Sequence, residues 1–143
     1  MINTSISQRT DGAGAVRRAR LQMRALAVGM AVVANVVVLT VARIVNGEFP
    51  VADDQKIAFA QVIFVTIVVG LIAWGLLELL ERVSPQAATI WLAVAVVCFL
   101  VSLIGPFASG ENTTSTIVLA LMHLGAFTTI VPMMWRSAML RCD

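Results

Sequence analysis

Between Ser115 and Pro132 the chain carries no aspartate, glutamate, lysine or arginine, and near the middle of that run lies His123, the only histidine in the protein. A run of this length and apolarity suits a helix crossing the roughly 30 Å hydrocarbon core of a bilayer. Lipid offers no water to an open backbone, so a spanning segment must be a helix or part of a closed barrel. The other apolar runs are continuous rather than alternating, which selects helices. Composition points the same way. Hydrophobic residues make up 59% of the chain and charged residues 13%, against about 25% charged in an average globular protein. The mean hydropathy is +0.93. That surplus of apolar surface needs lipid as its solvent, and the length leaves no room for a separate soluble domain.

Four spans are expected, at about 25–45, 57–80, 87–104 and 115–135, forming an all-α, antiparallel four-helix transmembrane bundle over residues 21–143. Residues 1–20 read as a disordered, basic N-terminal tail. Arg17, Arg18, Arg20 and Arg24 precede the first span, as in a signal peptide. The apolar run that follows is too long for a signal core of ~7–15 residues and reads as an uncleaved span. Ser84-Pro85 predicts a capped start for the third span, with serine as cap and proline at the first helical position. Gly105-Pro106 predicts its end. With the N-terminus inside, Arg9, Arg17, Arg18, Arg20, Arg24, Arg82, Arg136 and Arg141 fall on the inner side and only Arg43 and Lys56 on the outer. The excess of inner basic residues predicts a multi-pass plasma-membrane protein with both termini cytoplasmic. Trp74, Trp91 and Trp135 would then lie near the inner headgroups, where an amphipathic ring is comfortable.

The residues that could carry chemistry are few. An ionisable group at mid-membrane is costly, so His123 should face protein or trapped water. It could relay protons, ligate a cofactor or line a substrate site, and the plainer reading is a structural histidine bonded to a neighbouring helix. A membrane haem wants a second axial ligand, and no second histidine exists. Asn35 lies at a similar depth in the first span, on a small-plus-polar stripe with Ala27 and Ala31 that permits close helix packing. His123 and Asn35 form the candidate functional pair, expected to meet by a direct hydrogen bond. Gln61, Thr66 and Glu78 are secondary polar candidates. Glu78 stands four residues before Arg82, the favourable order for a helical ion pair. The loop acids Glu48, Asp53 and Asp54 lack the spacing of a calcium loop. Cys98 and Cys142 form no C-x-x-C and read as an inert buried thiol and a tail thiol. No catalytic residues, metal ligands or cofactor are assigned, and the basic charge is too sparse for nucleic acid.

Glu81-Arg82, Trp91, Ser102-Leu103-Ile104-Gly105-Pro106, Leu119-Ala120-Leu121-Met122-His123-Leu124 and Pro132 together resemble a family of small four-span membrane proteins from actinobacteria, catalogued only as a domain of unknown function. The resemblance covers roughly residues 25–136. It implies the four-span architecture and a bacterial plasma-membrane address, and it implies no activity.

Three classes of function follow, in order. The first is a non-catalytic integral membrane protein, a structural or accessory subunit whose partners are the lipid bilayer and either another membrane protein or further copies of itself. The second is a small transporter or proton-linked conduit using His123 and Asn35, although no span carries the central carboxylate on which small multidrug exporters rely. The third is a membrane enzyme or cofactor-binding subunit. The four-span quinone-linked thiol oxidoreductases are the nearest pattern, and the C-x-x-C they need is absent.

Overall fold

The computed structural model describes residues 2–46, 50–51, 55–56, 59–109 and 113–140. Its helices are α1 (Ile2–Asn46), α2 (Phe59–Val83), α3 (Ala87–Ser102), α4 (Ile104–Ser109) and α5 (Thr113–Met139). The stretches Gly14–Val45, Phe59–Val83, Ala87–Ala108 and Thr113–Met139 are each long and apolar enough to cross a membrane. The chain is an integral membrane protein folded as an antiparallel four-helix bundle. In the connection between α1 and α2, β1 (Pro50–Val51) pairs antiparallel with β2 (Gln55–Lys56). The helices close into a ring: α1 packs on α5 and α2, and α3 packs on α2 and α5. The expected adjacency of the first and last spans is therefore present.

Several boundaries differ from the sequence reading, each for a local reason. Helical backbone extends from Ile2, through the segment expected to be disordered. Arg20 and Arg24 are held by partners on α2 and α5, which ties α1 to the bundle from Arg20 onward. At the start of α3 the capping position is Gln86, with no side-chain cap bond. Ser84 acts two residues earlier, its Oγ accepting from the Gln86 backbone N–H at 3.1 Å, so Ser84-Pro85 forms the turn rather than the cap. Gly105-Pro106 does not end the helical path. The break falls at Leu103, and α4 resumes at Ile104. Pro106 has no N–H to give the carbonyl of Ser102 four residues back, and its ring crowds that carbonyl. Pro132 interrupts α5 in the same way without ending it. The hydroxyls of Thr128 and Thr129 bond back to the carbonyls of Leu124, Gly125 and Ala126 in the preceding turn.

The apolar interior is divided along the bundle. One cluster gathers Ala27, Val28, Ala31, Leu77, Trp91, Ile130 and Met134. The other gathers Leu39, Ala42, Val62, Val118 and Met122. The stripe Ala27, Ala31 and Asn35 does face inward, all three being buried. Helix approach is closest where Gly70 of α2 meets Val28 of α1. A Cβ at Gly70 would lie 2.8 Å from one Val28 methyl and 3.0 Å from the other. Phe99 and Phe127 stack across the α3–α5 contact with centroids 4.3 Å apart. Trp91 turns inward: it is buried, and its indole N–H donates to the Ala73 carbonyl at 3.0 Å. Cys98, expected to be buried, lies on the exposed surface of α3. Cys142 falls outside the described residues.

Candidate functional site

The two apolar clusters leave a polar layer between them. On α1, Asn35 falls between Ala31 of one cluster and Leu39 of the other; on α2, Thr66 follows Val62; on α5, His123 follows Met122. These residues share inward faces because they recur at three- and four-residue steps with the apolar residues around them. Asn35 Nδ2 donates to Thr66 Oγ1 at 3.0 Å, and Thr66 Oγ1 donates in turn to the Val62 carbonyl at 2.7 Å. The chain of bonds fastens α1 to α2. Asn35 Oδ1 is buried and has no hydrogen-bond partner. It looks across the seam to α5, 3.7 Å from where a Gly125 side chain would begin.

His123 bonds within its own helix, Nδ1 lying 2.7 Å from the Leu119 carbonyl. The direct Asn35–His123 bond expected from their similar depths does not form. Each found a nearer partner: Asn35 a hydroxyl on α2, His123 a carbonyl one turn back. What the fold does instead is place both beside one cavity of about 390 Å³, whose wall also includes Gln61, Thr66, Val65, Val69, Leu119, Met122, Ala126 and Ile130, with Gly105 and Pro106 from α4. Four of the five polar candidates thus converge. The lining runs from Gln61 to Val69 along α2 and from Leu119 to Ile130 along α5, about 12 Å and 16 Å at 1.5 Å per residue. The cavity is elongated, with polar groups at one end and midway and apolar groups at the other.

Glu78 lies elsewhere, in a cluster that sequence reasoning missed. Arg24 is 1% exposed. Its Nη1 donates to Glu78 Oε1 at 2.5 Å, its Nη2 to Glu81 Oε1 at 2.6 Å and its Nε to Ser137 Oγ at 2.9 Å. Arg20 bonds Glu81 Oε2 and, through Nε, the Ser137 carbonyl at 2.9 Å. The expected Glu78–Arg82 pair is not made, and Arg82 is exposed. A buried guanidinium must have its donors satisfied, and Glu78 and Glu81 serve Arg24 better than a surface arginine they would share with water. With every Arg24 nitrogen engaged, the cluster clamps α1 to α2 and α5 and leaves no free acid or base. The sequence did carry a signal: Arg24, Ala27, Ala31 and Asn35 fall on one helical stripe, as do Thr66, Gly70, Leu77 and Glu81 on α2.

A family profile matches residues 15–139, nearly the whole bundle. The chain belongs to DUF6069, a family of unknown function. The match takes in the arginine clamp, the polar layer and the cavity wall alike. Membership in DUF6069 assigns no activity to the chain. No curated protein and no solved structure matches it.

Proposed function

We propose that this DUF6069 protein holds a small lipophilic molecule within the membrane, in the manner of a carrier or conduit, and performs no chemistry on it. One observation carries the reading. Asn35, Gln61, Thr66 and His123, from three different helices, line a single cavity of about 390 Å³ whose remaining wall is apolar. That volume and lining fall within the range of small-molecule sites. Val65 and Val69 in that wall are half exposed, so the cavity opens sideways and a molecule dissolved in the membrane can enter it. The expected excess of basic residues on one side supports a plasma-membrane orientation with both termini cytoplasmic, so that the Gln61 end of the cavity faces outward.

The accessory-subunit reading is separated from this one by a single measurement. The protein is purified in mild detergent and examined by native mass spectrometry, beside an Ala126→Phe variant that fills the cavity. A small molecule retained by the wild type and lost from the variant supports the proposal. A stoichiometric protein partner retained by both, with no small molecule, overturns it in favour of the accessory subunit.

A further inference from the structure

We infer that the cavity selects a neutral lipophilic alcohol or phenol, a molecule with an apolar body and a hydrogen-bond donor at one end. The inference rests on the ligand-holding reading above and deepens it. It follows from counting which polar atoms of the wall are already committed. A carbonyl oxygen can only accept, so the 2.7 Å contact between His123 Nδ1 and the Leu119 carbonyl requires the proton on Nδ1. In the neutral ring Nε2 is then a bare acceptor. The Thr66 hydroxyl has one proton, and the Val62 carbonyl takes it. Asn35 spends one amide proton on Thr66 Oγ1 and keeps the other, while its Oδ1 is closed off within the α1–α5 packing. The Thr66 proton and one Asn35 amide proton are thus spent inside the protein, and His123 Nε2, on a residue that lines the cavity, is the acceptor left for a ligand. Gln61, exposed at the end of the cavity, keeps both kinds of group.

A ligand complements such a wall by bringing donors. An anion brings only acceptors and would meet no cation in the lining. The buried Arg24 is eleven residues further down α1 from Asn35, roughly 16 Å along the helix, and is fully engaged by Glu78, Glu81 and Ser137. A cation would find acceptors but no carboxylate among the lining residues, and burying an unpaired charge is prohibitive. The apolar stretch towards Val69, Ala126 and Ile130 suits a hydrocarbon body. A neutral donor on such a body meets every condition.

The test uses the full chain in lipid nanodiscs and four probes of similar length: 4-nonylphenol, its methyl ether 4-nonylanisole, 4-nonylbenzoate and 4-nonylbenzylammonium. Binding is measured by equilibrium dialysis, with protein-free nanodiscs subtracting partition into lipid. The phenol should bind one per chain, with the ether about three- to tenfold weaker, the span expected for one net hydrogen bond. Both charged probes should bind no better than the ether. His123→Phe should bring the phenol down to the ether's affinity and leave the ether unchanged, and His123→Gln, which keeps an acceptor, should restore the difference. An ether that binds as tightly as the phenol, or a charged probe that binds more tightly, overturns the donor requirement while leaving a ligand-holding cavity. Failure of all four probes to bind, together with no small molecule retained on purification, overturns both readings.

Discussion

Arg24 shows most sharply what a single residue contributes to this fold. It is the most deeply placed charge among the described residues, and each of its three guanidinium nitrogens has a partner on another helix. Removing one member of such a set leaves the others buried and uncompensated, which costs about 3–5 kcal/mol, whereas an apolar replacement of the whole set can be nearly neutral. Arg24→Leu should therefore destabilise the bundle by roughly that amount in a detergent unfolding titration. Replacing Arg20 and Glu81 by leucine as well, since Glu81 also holds Arg20, should recover a large part of the loss, and equal losses in the single and triple variants would contradict the clamp. The polar layer yields a second expectation. Asn35→Leu and Thr66→Val break the same bond, so their joint cost should fall short of the sum by about 0.6–2 kcal/mol. Asn35→Leu and His123→Leu share no bond, only a cavity wall, so their coupling should be smaller than that of the first pair. Coupling in the second pair rather than the first would return the polar contact to the Asn35–His123 arrangement that depth alone suggested.

Between elements, the closest approach is that of α1 and α2 at Gly70. Both methyls of Val28 occupy the space a side chain there would need, and valine, stiff about its first torsion, cannot swing away. Gly70→Ala should cost about 1–3 kcal/mol through overpacking, and Val28→Ala in the same chain should relieve it. If Gly70→Ala were neutral alone, the two helices would have to sit further apart than the structure places them. The sequence made the elements legible because each span is a continuous apolar run, and lipid leaves such a run no option but a helix. It also brought Asn35, Gln61, Thr66 and His123 into view, because a polar residue in such a run stands out. It did not reveal their partners. Depth along a helix can be counted from sequence, but rotation about the axis decides whether Asn35 reaches α2 or α5, and that is fixed by packing such as Val28 against Gly70. The clamp stayed hidden for a different reason. Arginines before a first span are expected to mark orientation, so Arg20 and Arg24 read as a topology signal although Arg24 lies on the inward stripe of α1.

For the molecule as a whole, the clamp and the orientation signal use the same end of the bundle. Arg20 and Arg24 reach the C-terminal turns of α2 and α5, so the inner end of α1 and the far ends of α2 and α5 lie on one side of the membrane. Cys98, exposed on α3 within a membrane-spanning stretch, faces the hydrocarbon. It should resist a membrane-impermeant maleimide in intact cells and yield to a lipid-soluble one, and modification by the impermeant reagent would place that face of α3 against water. The distribution of basic residues supports one orientation of the clamp. Arg17, Arg18, Arg82 and Arg136 are exposed at the clamp end, and the opposite end offers Arg43, whose guanidinium is stacked 4.5 Å over the Phe59 ring, and Lys56. In the orientation proposed above, retention of basic residues on the cytoplasmic side would put the clamp end inside. Reporter fusions after Gln55 and after Gly110 should then read as outside, and fusions after Ser84 or at Asp143 as inside. A uniform reversal at all four sites would invert the orientation and turn the Gln61 end of the cavity towards the cytoplasm, leaving the bundle intact. A cytoplasmic reading after Gly110 alone would contradict the bundle itself, because α3 and α5 could not then both cross.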